Sequence, residues 1–122
     1  MFTLTVELVV RIHDDILGIG ELRGLAGDKS LDGTLSRVEN RLAYGMVGDA
    51  FDLAAAYAVA ISQGHCFNDG NKRTAFRAMQ VCLEANGIPV TLDTIEAGNV
   101  IIRAAQRLLD EGELAEWLRQ RC

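Results

Sequence analysis

One proline in 122 residues leaves this chain with little of the punctuation that separates domains. No Ser/Gly/Pro-rich stretch is available to serve as a linker or to remain disordered. Basic charge is also short. Twelve Lys and Arg against seventeen Asp and Glu give a net charge of −5, which disfavours broad, direct nucleic-acid binding, since that needs many phosphate-neutralising cations. A small local anion site stays open. No window approaches the roughly 20 apolar residues of a membrane span, so no membrane association is expected. The opening run MFTLTVELVV has no basic lead and is soon followed by Arg11, His13, Asp14 and Asp15, so it does not read as a signal peptide. Cys66, Cys82 and Cys122 are an odd set without disulfide or zinc spacing, and they point to a reducing, cytoplasmic setting.

What is present has ordinary globular composition, 49% apolar and 24% charged. The length suits a single domain over residues 1–122 with a real core. Helical spacing dominates. Thr5 is placed to cap a helix from Val6 to Leu17, with Val6, Val9, Val10, Ile12 or His13, and Ile16 on its apolar side; Gly18 and Gly20 end it. Glu21 to Ser30 reads as a loop. A second helix runs from Leu31 to Tyr44, with Leu31, Leu35, Val38 and Leu42 on one face. Gly45 and Gly48 bracket a break, and Asp49 caps a third helix, Ala50 to Gln63. That helix is apolar nearly all round, which predicts a central element covered on every side.

A fourth helix starts near Asn71, aligns Ala75, Met79, Cys82 and Leu83, and stops at Gly87. Ile88-Pro89-Val90 is at most a strand fragment. Thr94 is expected to cap a fifth helix, Ile95 to Leu109. Asp110 to Gly112 reads as a break, and Leu114, Trp117 and Leu118 mark a short last helix. The fold class is therefore all-α, a compact bundle of about five to six helices around a central apolar one.

The stretch Gly64 to Thr74, GHCFNDGNKRT, concentrates the chemistry. It is a polar loop feeding a helix start, where free backbone N–H groups and the positive dipole end attract anions, phosphate above all. Gly70 lets the backbone curve around such a ligand. Lys72 and Arg73 add formal positive charge. Asp69 opposes that charge unless it holds a cation, and Mg²⁺ favours carboxylate together with phosphate oxygens. His65 is the group whose ordinary pKa suits a base near neutral pH. Base, metal ligand and phosphate cradle together point to transfer of part of a nucleotide. His13-Asp14 is an HD dipeptide, as in helical metal phosphohydrolases. With only two histidines in the chain, a multi-histidine centre is not available, and His13 reads as a helix-face residue. Cys66 reads as a small buried residue rather than a nucleophile.

His65-Cys66-Phe67-Asn68-Asp69-Gly70-Asn71-Lys72-Arg73 resembles the signature of the Fic/Doc superfamily, and more closely its death-on-curing (Doc) branch, the toxins of prophage and plasmid maintenance modules. The resemblance extends to Gly33–Tyr44, the Ala-rich third helix, Thr74-Ala75, Asn86-Gly87 and Leu114-Ala115-Glu116-Trp117-Leu118. The wider Fic pattern has glycine at the place of Lys72 and a second arginine at the place of Phe76. The chain departs from that pattern at both positions and follows the Doc pattern at both.

The resemblance implies a Fic/Doc-like bundle and a Mg²⁺- and ATP-dependent protein kinase acting on a threonine of an elongation factor Tu-like protein, which stops translation. It implies His65 as the base, Phe67 as the anchor of the loop, and Asp69 as the Mg²⁺ ligand. Gly70, Asn71, Lys72 and Arg73 are implied to bind phosphate, and a Phd-like antitoxin to neutralise the chain. The inhibitory pattern of many Fic proteins is Ser/Thr, three residues, Glu, then Gly/Asn. Only Thr3 to Glu7 has its spacing, and Leu8 follows, so inhibition by a separate chain is expected. Two other readings stay open: a Fic-type nucleotidyltransferase that adds AMP to a protein hydroxyl, and a binding module without catalysis.

Overall fold

The computed structural model describes residues 1–122. It has six helices and no strand: α1 Val6–Ile16, α2 Leu31–Ala43, α3 Ala50–Gly64, α4 Asn71–Ala85, α5 Thr94–Ala105 and α6 Glu111–Arg121. The predicted all-α architecture is what forms. Most starts follow local capping chemistry. The side chains of Thr5, Ser30 and Asp49 accept the amides of Leu8, Gly33 and Asp52, each satisfying one of the donors a helix start leaves free. No helix is long and apolar enough to cross a membrane.

Three features of α5 and α6 differ from the sequence expectation. Asp93, not Thr94, caps α5, because its carboxylate reaches the Glu96 amide at 2.9 Å. The same helix stops at Ala105 rather than Leu109, where Arg107 turns to a left-handed φ of 63°. The expected break at Asp110 to Gly112 is instead the start of α6. Asp110 accepts from the Glu113 amide and Glu113 returns the bond to Asp110 N–H, a reciprocal box that makes an acidic cluster a helix signal. Ile88-Pro89-Val90 joins no ladder.

Helix α3 is the centre. From Leu53 to Ser62 every residue is buried, and the helix packs against α2, α4, α5 and α6. Five alanines, Ala54, Ala55, Ala56, Ala58 and Ala60, lie in that stretch, and their small size lets neighbouring helices approach on several sides at once. Tyr57 is its one buried hydroxyl-bearing aromatic, and its OH accepts the Leu4 amide at 2.8 Å, tying the N-terminal segment to the core. Around α3, the buried faces of α1, α2, α4, α5 and α6 contribute Val9, Val38, Met79, Ile101 and Leu114 to one continuous cluster.

The close packing sets the first test. Ala58 is 0% exposed, and adding branched carbon there has no space to use. Ala58→Leu is expected to destabilise the fold by about 1–3 kcal/mol, read as a lower urea midpoint with an unchanged slope.

Candidate active site

Two helix ends meet to make the site. At Gly64 the C-terminus of α3 passes against α2: a Cβ at that position would stand 2.7 Å from Thr34 Oγ1, so only glycine permits the approach. The next residue, His65, is the C-cap of α3 in the left-handed region, φ 49° and ψ 40°. That conformation turns the chain sharply and leaves the imidazole exposed. Cys66 and Phe67 then dive back into the core at 2% and 3% exposure. Cys66 Sγ lies 3.0 Å from Thr34 Oγ1, a structural contact that faces away from solvent.

Asn71 closes the loop onto α4. Its side chain donates to the Phe67 carbonyl at 2.9 Å and accepts the Phe67 amide at 3.0 Å. Both ends of the side-chain amide are therefore committed to the backbone, and what Asn71 offers a ligand is its own N–H. Gly70 is the N-cap of α4 at φ 78°, with no side-chain cap. The five other helices all have one. The first backbone bond of α4 is Thr74 N–H to Gly70 C=O at 2.9 Å. The amides of Asn71, Lys72 and Arg73 consequently stand free at the positive end of a helix.

His65, Asn68, Asp69, Gly70, Asn71, Lys72 and Arg73 line one polar cleft of about 290 Å³. The structure thus gathers His65, Asp69, Gly70, Asn71, Lys72 and Arg73 around a single concavity. Phe67 lies beneath it. A second, mostly apolar cleft of about 440 Å³ shares Lys72 and Arg73 with the first and continues over Ile16, Phe76, Ile101 and Ile102.

The segment between α1 and α2, a loop by its sequence, packs against the motif. It runs antiparallel to the motif. Ala26 N–H donates to Cys66 C=O at 2.7 Å, Asn68 N–H to Gly24 C=O at 3.1 Å, and Leu25 pairs with Phe67. Asn68 Nδ2 donates to Arg23 C=O at 2.9 Å. Leu22 N–H donates to Asp69 Oδ2 at 3.2 Å.

Glu21 takes Arg73 with both carboxylate oxygens, the Nη1 contact being 2.7 Å. Gly18 N–H donates to the same carboxylate at 2.6 Å. The Arg73 guanidinium first, and the Gly18 amide second, hold the Glu21 carboxyl well below the usual range, at about 2.

His13, a residue of the buried face of α1, also reaches the motif. Its ring is fully buried, stacked on Phe67 at 3.8 Å with 9° between planes. The signal was its place on the apolar side of α1 beside Ile12 and Ile16. Glu21 and the Leu22 amide carried no local signal at all.

The chemistry defines a class: a helical protein whose uncapped helix start, backed by two cations, faces an imidazole and a carboxylate. Comparison with known proteins agrees. The sequence profile of the Fic/DOC family matches residues 3–83. The chain is 34% identical over 115 residues to Protein kinase doc of Escherichia phage P1, an alignment covering 93% of this chain and 90% of that relative. The chain belongs to the Fic/DOC family.

The Glu21–Arg73 pair has a defined pH signature. A carboxyl depressed from 4.5 to about 2 contributes stability above its unfolded value and loses it as pH falls through the folded one. Glu21→Gln is therefore expected to be less stable than the parent at pH 7, and the gap should close as pH falls from 4.5 to about 2. Added salt should narrow it at neutral pH, since the pair is solvent-accessible. Thermal unfolding across pH measures both.

Proposed function

We propose that this chain is a Doc-like toxin, a protein kinase that moves the γ-phosphoryl group of ATP to a threonine of an elongation factor Tu-like protein and so arrests translation. The observation that carries the reading is the uncapped start of α4, with three free amides beside Lys72 and Arg73, opening into the cleft that His65 and Asp69 also line. The family relative that carries the name Protein kinase doc supports it.

The roles follow from position. His65, exposed on a rigid turn at the end of a buried helix, takes the proton from the threonine hydroxyl. The hydroxyl oxygen bonds to the γ-phosphorus, the bond from that phosphorus to the β–γ bridging oxygen breaks, and ADP leaves. The amides of Asn71, Lys72 and Arg73 hold phosphate oxygens, and the two side-chain cations stabilise charge on the leaving side. Phe67 fixes the loop from below.

The residues fit Mg²⁺. Asp69 gives one carboxylate to the phosphate cleft, while no group of three His, Cys, Asp or Glu forms a cage elsewhere. A single carboxylate with phosphate oxygens and water suits an ion that arrives with its nucleotide. When bound, Mg²⁺ neutralises phosphate charge. The apolar cleft over Ile16, Phe76, Ile101 and Ile102 adjoins the phosphate end. It is where a C-terminal segment of a Phd-like antitoxin packs in this reading. The setting is cytoplasmic, with its protein target.

Labelled ATP tests the reaction in a translation extract. Label is expected in protein from the γ-position and not from the α-position. Label from the α-position alone would instead make the chain a nucleotidyltransferase. His65→Ala is expected to lower transfer by about 10²–10⁴-fold and to abolish growth arrest. Full toxicity in that variant would mean binding, not catalysis, does the harm.

A further inference from the structure

We propose that His13 is a positioning residue that holds the motif loop, and with it Asp69, in the geometry the transfer requires. The inference deepens the kinase reading of the same cleft and rests on it. His13 lies in α1, 0% exposed, and touches the motif at Phe67 and Asp69, close beside Gly70. Its face stacks on Phe67 at 3.8 Å. Its Nε2 is 2.6 Å from the Asp69 carbonyl oxygen. Its Cδ2 stands 3.6 Å from where a Cβ on Gly70 would be. A carbonyl only accepts, so Nε2 carries the proton and the tautomer is fixed.

Asp69 is thereby held at both ends. α1 grips its carbonyl, and the Leu22 amide grips its carboxylate at 3.2 Å. The backbone that carries the Asp69 carboxylate cannot turn without breaking the His13 bond. Groups behind a ligand commonly set its orientation in this way.

The other ring nitrogen argues that the Nε2 bond is the reason for an imidazole here. Nδ1 is buried and has no hydrogen-bond partner. Asp14 Oδ1 stands 3.5 Å away without making one. A buried polar atom left unpaired costs stability. A phenyl ring would stack on Phe67 equally well and carry no such atom. Packing alone would therefore favour the apolar residue, and what only the imidazole adds is a donor aimed at Asp69.

Two substitutions separate donor from shape. His13→Phe keeps the ring and removes the donor. His13→Gln gives up the ring but can place an N–H near the Nε2 position. The first readout needs neither nucleotide nor turnover: amide exchange at Phe67 and Asn68 in the free protein. His13→Phe is expected to keep the helical fold by circular dichroism and to exchange about 5- to 10-fold faster there, as for the loss of one hydrogen bond.

In transfer assays kcat should fall about 10- to 100-fold and the Mg²⁺ concentration for half-maximal rate should rise, with KM for the protein substrate little changed. His13→Gln should recover most of both effects. Exchange at the parent rate in His13→Phe overturns the proposal, and so does a His13→Gln no better than His13→Phe. If His13→Phe does not fold, His13→Leu serves as the donorless variant under the same criteria. Should the parent transfer no γ-phosphate, the kinase reading fails on its own, while the exchange arm still decides whether His13 holds the loop.

Discussion

A helix with no polar face must be covered everywhere, and α3 obeys that constraint along ten consecutive residues, Leu53 to Ser62. The four helices that cover it are thereby fixed relative to one another. Its C-terminus can reach solvent only where the cover ends. The chain leaves there through Gly64 and His65, and α4 begins a few residues later. Chemistry placed between two such ends inherits the rigidity of the core without being buried in it. A side chain on a mobile surface loop would lose most of that positional advantage.

The polar accounting of the helix ends sets one of them apart in a chain of net charge −5. Five helix starts satisfy donors with side-chain oxygens. One does not, and its amides face the same cleft as Lys72 and Arg73. Free amides and two cations are thereby concentrated at one point of a net-negative molecule. Glu21 tempers that charge. It occupies the guanidinium of Arg73 while leaving the backbone amides and Lys72 untouched. Of the two cations at the cleft, Arg73 is paired and Lys72 is in no ion pair.

How much of this was legible follows the distance over which each interaction acts. Helices depend on neighbours three or four positions away, so Val6–Ile16 and Ala50–Gly64 emerged from spacing and caps to within a residue of their ends. The Asp93 cap was misplaced by one residue because Asp and Thr are both good caps and stand side by side. The acidic run at Asp110 looked like a break because its reciprocal bonds to Glu113 reward a helix only once it has formed.

The motif itself was legible as a compact set of residue types. Its support was not. His13 meets Asp69 across 56 positions, Glu21 meets Arg73 across 52, and Asn68 meets Arg23 across 45. No periodicity records such pairings. The side chain of Asn71 is likewise spent on support, holding the backbone of Phe67 at both its amide and its carbonyl.

The antiparallel seam between residues 24–26 and 66–68 has a consequence for biosynthesis. Residues of the first strip leave the ribosome long before their partners exist. Until the second strip is made, Gly24, Leu25 and Ala26 have nothing to pair with, and closing a separation of that length costs chain entropy that only a formed core repays. Chains that stop short of Asn68 lack one strip of this seam altogether.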